Sequence, residues 1–140
     1  MKCLIVEDSE VIIQVITQLV RKVSLESYSY GDDFTHADNV PLALIFSYAK
    51  NVHMALDLLL KYEFDYIFLD LNLSEELDGL RVLEYVREQQ KNTPVFIVTG
   101  DNNINTVKQV IKLQPTDYLV KPVSKIMIAR CLEKVKMAQN

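Results

Sequence analysis

Five residues of this 140-residue chain carry groups suited to handling charge, and each ends or directly follows a short apolar run. Glu7 and Asp8 follow KCLIV, Asp70 follows YIFL, Thr99 closes VFIVT, and Lys121 follows YLV. Asp70 is the oddest of them, because no turn residue lets the chain out of its apolar run before the carboxylate arrives. Taken singly, each has an ordinary explanation. An Asp after a strand is commonly a turn or a cap, and an acidic pair before a helix complements the helix dipole. A Thr in a strand is a strand former, and a Lys is usually solvated. All five at strand ends, in this order, is hard to reach by accident. Three carboxylates brought together repel one another and raise one another's pKa unless a cation joins them. A hard divalent ion with oxygen ligands would relieve that repulsion.

The elements that must position these groups are short and regular. Residues 2–6, 42–47, 66–69, 95–98 and 118–120 read as strands. Their apolarity is continuous rather than alternating, as expected of strands covered on both faces in a parallel sheet. Amphipathic stretches lie between them. Ser9 can cap a first helix with Ile12, Ile16, Leu19 and Val23 as one stripe, leaving Val11 and Ile13 off it. Residues 51–62, 79–90 and 104–113 read as further helices, and Ser124 can cap a last one with Ile128, Cys131, Leu132 and Val135 inward. Strict alternation predicts an α/β fold, a doubly wound five-stranded parallel sheet with right-handed crossovers. With strand order 2-1-3-4-5, Glu7, Asp8, Asp70, Thr99 and Lys121 meet in the crevice at the topological switch point. Mg²⁺ is the ion expected there, because it pairs with phosphate.

Residues 24–41, between the first helix and second strand, are long for such a connection. They read either as a prolongation of the first helix or as a small hairpin around Gly31, Asp32 and Asp33. Helix-to-strand links lie at the edge opposite the ligand crevice, so Tyr28, Tyr30 and Phe34 are expected to pack the insertion down. The length suits one domain spanning 1–140. A hydrophobic content of 49% with 24% charged residues is ordinary for a globular protein. Apolar runs too short for a membrane span and an N-terminus that meets acid early imply a cytoplasmic protein. Cys3 and Cys131 are expected as reduced core residues, and a net charge of −4 argues against nucleic acid as direct partner. His36 and His53 are isolated and lack ligand spacing.

LIVEDS, YIFLDLN, the DG of Asp78-Gly79, VFIVTG and DYLVKP together resemble the receiver domain of two-component response regulators, with its flavodoxin-like fold. The resemblance covers nearly everything but 24–41. It implies that Asp70 is the phosphoryl acceptor, taking phosphate from a sensor histidine kinase or histidine phosphotransfer protein in a phosphorelay. It implies Mg²⁺ held by Asp8, by Glu7 mainly through water, by Asp70 and by the backbone carbonyl of Asn72. Thr99 and Lys121 would contact phosphoryl oxygens, and the Lys121–Pro122 bond would be cis. Thr99 and Tyr118 would form the switch, remodelling the face of the fourth helix, fifth strand and fifth helix for a downstream protein or a second copy. Such a phosphoprotein catalyses its own phosphorylation and dephosphorylation without turning over an external substrate. Asp70 attacking phosphorus in line, with cations neutralising the equatorial oxygens, is positioning plus electrostatics. The chain departs from the family's pattern at Ser74, where proline is usual, in a loop one residue longer up to Asp78, and at Gln114-Pro115 before the fifth strand.

Two rival classes share some of these features. A phosphatase of the haloacid dehalogenase kind also uses a strand-end Asp, a Thr and a Lys, but Asn72 stands where it needs a second Asp. A receiver-like module that only docks proteins and never takes phosphate is the other.

Overall fold

Five short runs of branched and aromatic residues pair side by side, all parallel, in the order β2-β1-β3-β4-β5. The structure, a computed structural model, describes residues 1–31, 44–89 and 92–139, with side chains from 27 to 31 excepted. Its elements alternate as β1 (Lys2–Val6), α1 (Glu10–Gly31), β2 (Ile45–Ala49), α2 (Val52–Lys61), β3 (Tyr66–Leu69), α3 (Leu80–Gln89), β4 (Val95–Thr99), α4 (Ile104–Ile111), β5 (Asp117–Val120) and α5 (Lys125–Ala138). Every residue of β3 and β4 is buried, which explains their unbroken apolarity. Leu4, Val6, Ile67, Leu69 and Ile97 face a core shared with Ala55, Leu59, Leu83 and Val86 of α2 and α3. Cys3, Ile5, Phe68, Phe96 and Val98 face the other core, shared with Ile16 and Val20 of α1 and Ile128 and Val135 of α5. Both cysteines are buried and unbridged.

Local chemistry starts the helices where the sequence places the caps. Ser9 Oγ accepts from the Ile12 N–H at 3.4 Å, Asn51 from Met54 at 2.8 Å, and Ser124 from Met127 at 3.3 Å. Several expected boundaries move. The second strand is Ile45–Ala49, overlapping the expected 42–47 at 45–47 and running two residues further, with Lys2 paired to Ile45 and Val6 to Ala49; residues 42 and 43 lie outside the described residues. As an edge strand it is only half-covered, so Tyr48 and Ala49 belong to it although Ser47 interrupts the apolar run before them. The buried stripe of α1 is Ile13, Ile16, Val20 and Val23, one position round from the expected one, with Ile12 and Leu19 only partly buried. Leu132 is likewise half-buried. α4 ends at Ile111, short of 113. α1 prolongs through Gly31, so helix extension holds for the first part of the insertion. Asp32, Asp33, Phe34 and His36 lie outside the described residues, as do the side chains of Tyr28 and Tyr30.

The edge of the sheet away from the strand-end acids is tied by charge. Arg87 Nε donates to the Gln114 carbonyl at 2.9 Å and its Nη1 to Thr93 at 2.6 Å, joining α3 to the entries of β4 and β5. Gln114 takes a left-handed φ of 58° just before Pro115, which is how the chain turns without the usual glycine. Asp117 accepts from Arg130 Nε at 2.7 Å and Lys134 Nζ at 3.0 Å. Burial works against the Asp117 charge, but hydrogen bonds from Lys134, the Tyr118 N–H and Arg130 outweigh it and hold the carboxyl below its ordinary range. A depressed folded pKa contributes stability above the unfolded value and loses it as pH falls through the folded one. Asp117→Asn should therefore cost about 1 kcal/mol at pH 7, its cations being largely solvated. In urea titrations that difference should shrink below about pH 4, where unfolded carboxyls protonate. A difference constant with pH would contradict the pairing.

Candidate functional site

Each site residue hangs from the end of the sheet by its own backbone. Asp70, one residue beyond β3, donates its N–H to the Val6 carbonyl at 2.9 Å, and Glu7, one beyond β1, donates to Ala49 at 2.9 Å. Lys121, one beyond β5, donates to the Thr99 carbonyl at 2.8 Å. The ladders thus continue one residue past the strands and fix where these side chains start. Glu7, Asp70 and Thr99 are buried, whereas Asp8 is exposed. The Lys121–Pro122 peptide bond is cis.

Lys121 Nζ stands 2.9 Å from Glu7 Oε2 and 3.4 Å from Asp70 Oδ2. It is aligned to donate to Asp70 but not to Glu7, whose buried Oε2 makes no hydrogen bond and is balanced by charge alone. The other Glu7 oxygen accepts the Ser9 N–H at 3.1 Å. Burial pushes the Glu7 carboxyl up to about 7, against the pull of Lys121, and the Asp70 charge adds to the rise. Burial also opposes the Lys121 charge, but Glu7 and Asp70 more than offset it and its pKa is raised. Glu7, Asp8 and Asp70 each offer an oxygen, and the three lie within 4.8 Å of one another. An all-oxygen donor set with one unsatisfied buried oxygen fits a hard divalent cation. These residues could hold one.

The loop after Asp70 is held by two side chains. Asn72 Oδ1 accepts the Leu77 N–H at 2.8 Å, and Leu77 takes a left-handed φ of 57°. The Asp78 carboxylate accepts N–H groups from Leu73 at 2.8 Å, Ser74 at 3.0 Å and Glu75 at 3.1 Å. This cradle was not foreseen from the sequence; the signal for it is Ser74, whose N–H a proline would lack. Gly79 then passes so close beneath the strand end that a Cβ would lie 2.1 Å from the Asp70 carbonyl oxygen.

On the far side, the Asp101 N–H donates to Thr99 Oγ1 at 3.4 Å, and the Tyr118 hydroxyl donates to the Asp101 carbonyl. Burial raises the Tyr118 pKa, with Asp101 and Asp70 adding to it. The Asp101 carboxylate accepts from the Asn103 N–H and the Thr106 hydroxyl, so it serves the start of α4. The Asn72 amide oxygen is committed to its own loop. Both side chains thus bond their own loops, although both flank the site in sequence. A Cβ on Gly100 would meet nothing within 4 Å, so this edge is open. His53 is solvent-exposed and faces Asp57 at 3.4 Å, apart from the acidic cluster.

Comparison with known proteins identifies the family and the fold. Residues 42–133 match the response regulator receiver domain family. The chain is 30% identical over 92 residues to the sensory transduction protein LytR of Staphylococcus epidermidis, which covers 66% of this chain and 35% of that one. It is 29% identical over 141 residues to protein RcaC of Microchaete diplosiphon, covering all of this chain and 19% of that one. It therefore spans between about a fifth and a third of these relatives. Among solved structures, a CheY-like receiver domain protein from Methanospirillum hungatei superposes with a TM-score of 0.77 at 17% identity, covering 99% of this chain and 96% of that one. A two-component response regulator from Clostridium difficile superposes at 0.75 with 19% identity, covering 100% and 98%.

The two glycines of the site should respond oppositely to one added methyl. Gly79→Ala drives a Cβ into backbone that cannot step aside and should cost about 3 kcal/mol. Gly100→Ala enters open space and should stay within about 0.5 kcal/mol of wild type. Urea unfolding of both variants checks this, and a tolerated Gly79→Ala would mean that the loop does not lie against Asp70.

Proposed function

The chain belongs to the response regulator receiver domain family, and on that premise we propose that it takes a phosphoryl group from a phosphohistidine onto Asp70. Residues 1–140 then form one receiver domain carrying an insertion at about 24–41. The observation that carries this reading is the Asp70 carboxylate, buried at the tip of β3 yet facing the Lys121 ammonium at 3.4 Å and two further acids. One Asp70 oxygen forms the new bond to phosphorus, the phosphorus–nitrogen bond of the donor breaks, and its electron pair stays on the imidazole. Lys121 neutralises oxygens of the transferring group, and the Thr99 hydroxyl donates to one of them. Glu7, Asp8, Asp70 and the Asn72 backbone carbonyl would hold Mg²⁺, which when bound offsets the charge on the phosphoryl oxygens.

Switching follows from the hydrogen bonds of Thr99. Its hydroxyl now accepts from the Asp101 N–H, while Tyr118 holds the Asp101 carbonyl from the other side. Turning the hydroxyl toward a phosphoryl oxygen releases Asp101, and Tyr118 re-seats with it. The face made by α4, β5 and α5 changes for a downstream protein or a second copy. The donor is a sensor histidine kinase or a histidine phosphotransfer protein. A net charge of −4 supports output through protein rather than direct nucleic-acid contact. No described helix is long and apolar enough to cross a membrane, in keeping with a cytoplasmic signalling protein.

With Mg²⁺ and acetyl phosphate, intact-mass measurement should show wild type gaining one phosphoryl group and Asp70→Asn gaining none. The amide keeps the shape but not the nucleophile. A variant labelled as fast as wild type would sink the assignment of Asp70, and an unlabelled wild type would favour the docking-module reading.

A further inference from the structure

We infer that Asp78 is a positioning residue for the cation site, acting through the Asn72 carbonyl. The inference rests on the proposed reading of Glu7, Asp8, Asp70 and the Asn72 carbonyl as that site. The Asn72 carbonyl and the Leu73 N–H belong to one peptide unit, and a trans peptide points these two groups in opposite directions. The Leu73 N–H is anchored on Asp78 Oδ1 at 2.8 Å, so the carboxylate fixes the plane and aims the Asn72 oxygen away from itself. The preceding peptide is fixed as well, since the Asn72 N–H donates to Asp70 Oδ1 at 3.3 Å. Asn72 is thus pinned on one side by the phosphoacceptor and on the other by Asp78.

Asp78 is itself well held. Its second oxygen gathers the Ser74 and Glu75 N–H groups, and its own N–H donates to the Glu75 carbonyl at 3.3 Å. The next residue, Gly79, donates to the Leu71 carbonyl at 2.8 Å, and its missing side chain lets this segment lie against the Asp70 backbone. An ionised acceptor with three N–H donors holds the loop where neutral side chains would hold it loosely. A proline at 74 would remove one donor but leave the Leu73 anchor intact. Loss of the carboxylate frees the Leu73 peptide to rotate and takes the Asn72 oxygen with it.

The test is a Mg²⁺ titration followed by amide chemical shifts on wild type, Asp78→Ala, Asp78→Asn and Asp8→Asn, with melting temperatures taken without Mg²⁺. Asp78→Ala should weaken Mg²⁺ binding about tenfold or more, as loss of a residue that orients a ligand commonly does. Asp78→Asn keeps one oxygen for the Leu73 N–H and should recover part of the loss. Wild-type Mg²⁺ affinity in both variants, with only the melting temperature lowered, would show a merely structural role and overturn the inference. If Asp78→Ala does not fold, Asp78→Asn decides: weakened binding supports the inference and unchanged binding overturns it. If wild type binds no Mg²⁺, or Asp8→Asn binds it as well as wild type, the cation site itself is wrong and the inference falls with it.

Discussion

Glu7 and Asp70 lie almost out of water at the edge of the sheet, and among the described residues the ammonium of Lys121 faces both. Burying like charges is costly, and one cation does not fully offset two carboxylates. A small domain tolerates this only because the rest of it is conventional: two apolar cores cover a parallel sheet, and its ladders carry the three chain segments one residue further. The rigidity of the sheet is what holds the carboxylates together against their repulsion. The same imbalance makes the site receptive, since any added positive charge is favoured there.

The groups around the acids divide into those that would meet phosphorus in the proposed reaction and those that hold the loops. Thr99 and Lys121 come from the sheet. Asn72, Asp78 and Gly79 fix the loop after β3, while Asp101, Thr106 and Tyr118 fix the loop after β4. The two loops meet the acids from opposite sides and are stapled by different bonds. A change at Thr99 therefore reaches Tyr118 through Asp101 without needing to disturb the Asn72–Asp78 cradle. In the proposed function, catalytic geometry and surface readout are separated in this way, and both originate in Asp70.

The order of elements and the strand-end residues were legible because they rest on periodicity: continuous apolar runs mean strands covered twice, and crossovers put their ends together. The C-terminal end of β2 was not, because an edge strand is only half-buried and Ser47 breaks the apolar run before Tyr48 and Ala49. The stripe of α1 was off by one position, since with Val11, Ile12, Ile13, Val15 and Ile16 adjacent almost any face reads as apolar. The loop contacts were out of reach for a different reason. Whether Asn72 and Asp101 turn toward Asp70 or back onto the chain depends on the local path of the backbone, which has no period. Residue type alone does not show it; the hydrogen bonds to Leu77, Asn103 and Thr106 do.

The balance of charge at the sheet edge can be measured through its cation. Lys121→Met keeps the length of the side chain and removes the ammonium, leaving Glu7 and Asp70 to repel each other uncompensated. Urea unfolding without Mg²⁺ should show the variant destabilised at pH 9, where Glu7 is ionised in wild type, by roughly 2 kcal/mol, below the cost of a fully buried pair because Lys121 reaches water. The difference should narrow as pH falls through about 7 to pH 6, where the raised Glu7 carboxyl takes up its proton and the repulsion is relieved. Equal destabilisation at both pH values, or none at pH 9, would contradict the idea that the Lys121 ammonium offsets the charge of the two buried carboxylates.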